Sequence, residues 1–239
     1  MSKGAAIRGL LCLLSVTMAL QATSITLGSP ALSGTGNCDP FGCPQFFGLS
    51  TYQQVYLSSA FPGAIDVSQI AFFDTQIHNG GVTAGGTYTV SFSYTGMTPG
   101  NLSTTNASFN VGSSIGTFFS GSLPGTVPIT GGKMLTFDGS TFLYDPSLGN
   151  LLMTVSVVNP SDVGPPFLFL DQSQSSLVTS NVYFGTWKGT PISGQNAGLI
   201  TQFTYSAVGN SVPEPGSIFL TAAGIALAGL TGLRRKFAR

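Results

Sequence analysis

Charge is scarce in this chain: eight Lys and Arg and eight Asp and Glu stand among 239 residues. Six of the eight cations, Lys3, Arg8, Arg234, Arg235, Lys236 and Arg239, lie at the two extremities. Between them stand only Lys133 and Lys188, against Asp39, Asp66, Asp74, Asp138, Asp145, Asp162 and Asp171. The interior of the sequence is therefore mildly acidic and nearly charge-free. It lacks the clustered Lys and Arg that displace counterions from a phosphate backbone, which argues against a nucleic-acid partner.

Histidine is scarcer still. His78 is the only one, beside Asn79-Gly80-Gly81. No nucleophile-elbow pattern accompanies it, and no second ligand pair makes a zinc set, so it reads as a loop residue. The only Glu is Glu214, so paired-carboxylate hydrolysis would have to come from Asp alone. Asp138 and Asp145 are the nearest pair, and both sit in turn contexts. Calcium suits loop Asp, Asn and carbonyl oxygens, but no Asp-x-Asp-x-Asp pattern is present and no ligands are assigned. No metal or cofactor is expected, and the chain does not read as an enzyme. A secreted hydrolase acting on polysaccharide or ester is the alternative.

Cysteine is limited to Cys12, Cys38 and Cys43. Cys12 falls inside an apolar stretch, Gly9 to Leu20, that follows Lys3 and Arg8. Met1 to Ala22 has the form of a secretory signal peptide, with Ala22 or Ala19 as the small residue before the cut. Leu20 departs from the small residue preferred at minus three. Cys38 and Cys43 bracket the turn-rich Asp39-Pro40-Phe41-Gly42, and an oxidising compartment favours a disulfide between them. Free thiols or half of a metal site are the alternatives.

What is abundant is Gly, Ser, Thr and Asn interleaved with Phe, Tyr, Val, Leu and Ile. That much apolar content argues against disorder. Thr87 to Tyr94 alternates polar and apolar residues without a break and predicts a half-buried strand with Tyr88, Val90, Phe92 and Tyr94 facing in. Leu151 to Val158 and Thr201 to Val208 read the same way, the first with Met153, Val155 and Val157 on one face, the second with Phe203, Tyr205 and Ala207. Further expected strands are Ser24 to Leu27, Gln54 to Leu57, Ile70 to Ile77, Ala107 to Val111, Lys133 to Phe137 and Val182 to Thr186. Gly, Pro, Asn and Asp punctuate the gaps, and no helical period is sustained. The expected fold is all-β, an antiparallel β-sandwich of jelly-roll-like type, with a barrel as the alternative. No internal repeat suggests a propeller or solenoid.

Carbohydrate binding is the specific activity such a domain suggests, since exposed aromatics stack on sugar faces. Trp187, Tyr183, Phe184 and Tyr52 are candidates by type, with a place in the core as the plainer reading for Tyr183 and Phe184. Asn101-Leu102-Ser103 and Asn106-Ala107-Ser108 match the N-glycosylation pattern and read as turn-edge asparagines.

The end of the chain has a different texture. Pro213-Glu214-Pro215 is stiff and extended, because each Pro fixes its own φ and restricts the residue before it. Residues 216–233 carry no charge. Ile218, Phe219, Leu220, Leu227, Leu230 and Leu233 supply the apolar bulk, and Gly224, Ala228 and Gly232 form a small-residue stripe. As a helix this run would span about 27 Å, close to the ~30 Å hydrocarbon core of a bilayer. Arg234, Arg235 and Lys236 then mark the cytoplasmic side.

A plain C-terminal anchor would have these properties. The whole pattern, however, closely resembles the PEP-CTERM sorting signal of exported bacterial proteins, on motif, spacing, apolar span and basic end together. The resemblance covers Val212 to Arg239. It implies processing by an exosortase-type transpeptidase, with Pro213, Glu214 and Pro215 as recognition residues, and loss of the tail as in other removable anchors. Phe137 to Leu152, with its Tyr-Asp-Pro turn and Gly149-Asn150 pair, also resembles a segment of uncharacterised proteins of this class. The chain thus divides into a signal peptide (1–22), an exported β domain (23–211) and a sorting and anchor segment (212–239, transmembrane 216–233, basic tail 234–239). The expected function is that of an envelope- or extracellular-matrix-associated structural or adhesive protein with a polysaccharide as partner.

Overall fold

Alternation of apolar and polar side chains builds the strands, and turn residues end them. The computed structural model describes residues 22–28, 36–44, 48–75, 81–127, 133–161, 165–173, 179–187, 190–192 and 197–208. The expected signal peptide up to residue 21, the sorting motif, the membrane segment and the basic tail lie outside these residues. The chain divides into two units, Met1–Ala207 and Val208–Arg239. Among the described residues, no helix is long and apolar enough to cross a membrane.

The strands, in chain order, are β1 (Thr23–Leu27), β2 (Gly36–Asn37), β3 (Thr51–Tyr56), β4 (Ile65–Phe73), β5 (Gly81–Val82), β6 (Gly85–Thr95), β7 (Ser114–Gly121) and β8 (Thr126–Val127). They continue with β9 (Lys133–Tyr144), β10 (Asn150–Ser161), β11 (Leu170–Ser173), β12 (Thr179–Trp187), β13 (Thr190–Ile192), β14 (Gly198–Leu199) and β15 (Thr201–Ala207). A four-stranded sheet has the order β1-β15-β4-β9, and a six-stranded sheet has the order β13-β12-β3-β10-β6-β7. Two small sheets, β14-β11-β2 and β5-β8, complete the set. Every paired strand runs antiparallel to its neighbour. The fold is all-β, as the periodicity predicts.

One apolar cluster draws on both large sheets. Ile65, Val67, Ile70 and Phe72 of β4 and Phe203 of β15 meet Tyr56, Tyr88, Val90, Phe92, Met153 and Val155 of the six-stranded sheet. Phe92 stacks on Phe142 with ring centroids 4.2 Å apart, and Tyr56 meets Phe203 edge-on at 5.1 Å. Each such ring, fully withdrawn from water, stabilises the fold by about 2–3 kcal/mol. The inward set expected for β6 is in place, with Tyr94 half-buried against the core.

Three expectations need correction. Ala107 to Val111 is not a strand: Ala107–Asn110 forms a 3-10 turn capped by Asn106, with Ser108 N donating to Asn106 Oδ1 at 2.9 Å. The strand expected from Ile70 begins instead at Ile65, because an irregularity between Val67 and Gln69 shifts the inward phase from odd to even positions. The strand expected at Lys133 to Phe137 runs on to Tyr144 through that same irregularity, where Val67 pairs Phe142 and Gln69 pairs Asp138. Gly139 sits in the extra segment, where a Cβ would collide with the Phe118 carbonyl oxygen.

The Phe137 to Leu152 segment forms a compact corner between β9 and β10. Asp145 Oδ1 accepts from Ser147 N at 2.9 Å and starts a 3-10 turn over Pro146–Leu148. Gly149 takes φ 138° and returns the chain. The Tyr144 hydroxyl donates to Gly149 O at 2.8 Å, and Leu151 and Leu152 are buried immediately after.

Candidate functional site

In an antiparallel pair, residues directly opposite one another project from the same face. Register therefore gathers side chains from distant parts of the sequence into rows across a sheet. On the outer face of the six-stranded sheet one row runs Phe184 (β12), Thr51 (β3), Ser156 (β10), Thr89 (β6) and Ser120 (β7). The first four are half-buried and Ser120 is exposed. Thr89 Oγ1 and Ser120 Oγ lie 3.4 Å apart. With strands about 4.8 Å apart, the row is about 19 Å long. It consists of one aromatic ring followed by four hydroxyls, without a charge.

The next row is Val182, Gln53, Thr154, Ser91 and Thr117. Gln53 Nε2 donates to Thr154 Oγ1 at 3.2 Å and to the Ala107 carbonyl at 3.1 Å. This row marks the boundary of a lid formed by the β6–β7 loop. Beyond it, Leu102 of that loop packs on Val55, Leu152 and Val182, with Met97 and Phe184 against them. Buried Asn110 fixes the loop: its Nδ2 donates to Gln53 Oε1 at 2.9 Å, and its Oδ1 accepts from Ser103 N at 2.6 Å. Half of the outer face is thus sealed by the chain itself. The Phe184–Ser120 row lies beside this seal, with Phe184 packed against it and the row ending at exposed Ser120.

The inner side of the same sheet holds a second polar group, with a structural role. The Tyr52 hydroxyl donates to Gln54 Oε1 at 2.6 Å and accepts from Asn181 Nδ2 at 3.1 Å. The Tyr56 hydroxyl and Thr201 Oγ1 lie 2.8 Å apart. Desolvation raises the pKa of both tyrosines above the ordinary value, and the Asn181 and Thr201 hydrogen bonds offset it only in part. Tyr52 is 0% exposed, so it is not the surface stacking platform its residue type suggested.

The remaining polar groups are engaged in the fold. Asp138, exposed on the four-stranded sheet, accepts from Gln69 Nε2 at 2.7 Å, and Asp145 accepts from Ser147. The two carboxylates expected to be nearest neighbours therefore serve different local contacts. Asp171 lines a cleft of about 190 Å³ with Thr26, Phe73, Thr75, Ile200 and Gln202. Its carboxylate accepts the Thr75 amide at 3.0 Å and the Thr75 hydroxyl at 2.5 Å. Cys38 and Cys43 are joined as a disulfide with Cα atoms 5.4 Å apart. The ring of Phe41, between them, is buried against Phe72 and Phe137, each at 5.3 Å. Asn101 and Asn106 lie at loop positions and bind Thr98 and Ser108. His78 and the side chains of Tyr183 and Trp187 lie outside the described residues.

Sequence reasoning singled out Phe184 by type but not the hydroxyls beside it. Each is an ordinary outward residue of an alternating strand, and only the register of five strands aligns them.

Comparison with known proteins adds one finding. The PEP-CTERM protein-sorting motif matches residues 211–236. No curated protein and no solved structure matches the chain. The motif implies an exported protein sorted by an exosortase system and processed at the cell envelope by an exosortase-type enzyme.

Proposed function

We propose that the exported body is a non-catalytic structural or adhesive domain of the envelope or extracellular matrix, and that it holds a neutral polysaccharide on the outer face of its six-stranded sheet. The observation that carries this reading is the row Phe184, Thr51, Ser156, Thr89 and Ser120. An aromatic face packs against the apolar side of a sugar ring. Hydroxyls at strand spacing exchange hydrogen bonds with sugar hydroxyls. Without a charge to desolvate, such a face favours an uncharged polymer over a nucleic acid or a polyanion.

In this reading residues 1–22 are the signal peptide and residues 216–233 span the membrane until the tail is removed. The mature body then passes to the envelope or matrix. The fold reading is jelly-roll-like. Of the longer strands, take β1, β3, β4, β6, β7, β9, β10 and β15 as first to eighth. Their orders are then first-eighth-third-sixth and second-seventh-fourth-fifth, with β12 and β13 added at an edge. Two interleaved Greek keys produce that order, and lectin domains are among the proteins that use it.

The test is a glycan array followed by a pull-down with residues 23–208 on neutral and acidic polysaccharides. Retention on a neutral polymer supports the reading. Retention on none removes the binding claim.

A further inference from the structure

A cleft of about 190 Å³ opens at one end of the four-stranded sheet, lined by Thr26, Phe73, Thr75, Asp171, Ile200 and Gln202. The strand register shows how the chain builds it. Gln202 of β15 stands directly opposite Thr26 of β1 and alternates with buried Thr201 and Phe203. It therefore projects from the outer face of the sheet. Ile200 and Phe73 are the residues next beyond the Thr201–Phe72 pair, and they bring an aliphatic and an aromatic side chain to the same end. β11 closes the other side. Ile200 N donates to Asp171 O at 3.0 Å, and the Asp171 carboxylate accepts the Thr75 amide and hydroxyl.

The lining residues differ in kind and in depth. Ile200 and Asp171 are buried, Phe73 and Gln202 are half-buried, and Thr26 and Thr75 are exposed. Ile200 and Phe73 thus form an apolar part, Gln202 an amide flank, and the two threonines a hydroxyl rim. An engineered cavity of about 150 Å³ holds benzene. A single six-membered ring therefore fits this volume, whereas drug-sized ligands occupy pockets of about 300 Å³ or more.

Gln202 sets the chemical requirement. Its Nε2 donates to Thr26 Oγ1 at 3.1 Å. Its Oε1 is withdrawn from water and finds no partner among the described residues. A buried polar atom in that condition is uncommon and calls for a partner. Turning the amide end for end, so that the Thr26 hydroxyl donates to Oε1, leaves Nε2 in that place instead. The missing group is a donor in one arrangement and an acceptor in the other. A hydroxyl serves both, whereas an ammonium only donates and a carboxylate only accepts. A ring with an apolar face and hydroxyls around its edge meets the amide and the apolar part together.

We propose that this cleft is a binding site for one uncharged pyranose ring, taken as a free sugar or as the terminal residue of a chain. One face of the ring packs on Phe73 and Ile200, and a ring hydroxyl bonds the Gln202 amide. Asp171 holds Thr75 and so sets the opposite wall. The site is separate from the Phe184–Ser120 row, which lies on the other large sheet, and it stands whether or not that row holds a polymer.

The test is an NMR titration of the full chain, in a detergent without a sugar headgroup, with the methyl glycopyranosides of glucose, galactose, mannose and N-acetylglucosamine and with their hexasaccharides. At least one is expected to shift the Gln202 side-chain amide resonances, with a dissociation constant on the order of 1 mM for the single ring. A hexasaccharide that binds no more tightly than its methyl glycoside marks the free sugar as the ligand, and tighter binding marks a chain end. Gln202→Leu is expected to weaken binding about tenfold, as loss of one hydrogen bond does. Its melting temperature should not fall, because it removes a buried oxygen that the fold leaves unbonded. Thr89→Glu with Ser156→Glu should leave the titration unchanged. The absence of any shift with every sugar overturns the proposal, as does parent affinity in Gln202→Leu. Loss of the titration in the glutamate variant assigns the sugar to the row and overturns the cleft as well.

Discussion

Gln54 and Leu199 exchange two hydrogen bonds across the interior: Leu199 N donates to Gln54 Oε1 and Gln54 Nε2 donates to Leu199 O, both at 2.8 Å. A side-chain amide here does the work of a strand. It pairs with the β14 backbone as a neighbouring peptide unit would, and so lets a two-residue strand be buried against the inner face of β3. Gln54 is fully buried, and Leu199 with it.

Gln54→Leu keeps the volume and removes the acceptor of both the Leu199 amide and the Tyr52 hydroxyl, while Leu199 O keeps the Thr201 hydroxyl at 3.0 Å. Two buried donors lose their acceptor, each worth about 1–3 kcal/mol. The expected loss is about 2–4 kcal/mol, read from the urea midpoint of residues 23–208 at unchanged m-value. A loss below 0.5 kcal/mol, on the order of a neutral surface change, would mean that water replaces the amide.

Phe41 and the disulfide around it contribute separately. Phe41→Ala empties a site packed by Phe72, Tyr88 and Phe137, at a cost of about 3–5 kcal/mol. Opening the short loop by Cys38→Ser with Cys43→Ser should cost only about 2 kcal/mol. Denaturant unfolding of the two variants decides the ranking. The reverse order would mean that loop closure stabilises this region more than the buried ring does.

Asn110→Leu should loosen the lid over Val55, Leu152 and Val182 without unfolding the sheet. Ser103 N loses its acceptor and Gln53 Oε1 loses its donor. Hydrogen exchange is the measurement: amides of residues 101–113 should exchange at least about tenfold faster, while those of β10 stay protected. Uniform acceleration in both segments would show that the loop and the sheet open together.

Asp145 sets a small acid response. The Ser147 hydroxyl and amide stabilise its carboxylate, so its folded pKa lies below the unfolded one. The unfolded chain then binds more protons in that interval. The contribution is complete above the unfolded pKa and disappears as pH falls through the folded value. In a carbon-detected NMR titration the Asp145 carboxyl should titrate below the ordinary aspartate range, and Ser147→Ala should move it upward. At high pH the signs reverse for Tyr52 and Tyr56: their raised pKa values favour the protonated folded form below pH ~10, and that advantage is lost as pH rises further.

Much of the fold is legible in the residue pattern, and the failures have local causes. β6 and β15 keep an unbroken two-residue period, and β10 keeps it from Met153 to Val157, so their inward faces follow from it. β7 escapes because Phe118 and Phe119 both turn inward where its register shifts against β6. β4 and β9 are read only in part, because a shared irregularity inverts the phase midway. β11 is buried on both faces, so Leu170 to Ser173 offers no alternation to detect. The candidate face fails for another reason. Thr51, Thr89, Ser120 and Ser156 are unremarkable one at a time, and their meaning lies in cross-strand register, which no local window contains. The tail is the opposite case. Its motif is linear, and Pro213-Glu214-Pro215 can be read without any fold.

The central claim is that the uncharged row on the six-stranded sheet holds a neutral polysaccharide. The most direct test is retention of residues 23–208 on immobilised neutral polysaccharide, with and without Thr89→Glu and Ser156→Glu, which place two charges mid-row on half-buried positions. The account predicts that the unaltered body is retained and that the charged variant elutes unbound with an unchanged melting temperature. Equal retention of both, or retention of neither, would contradict it.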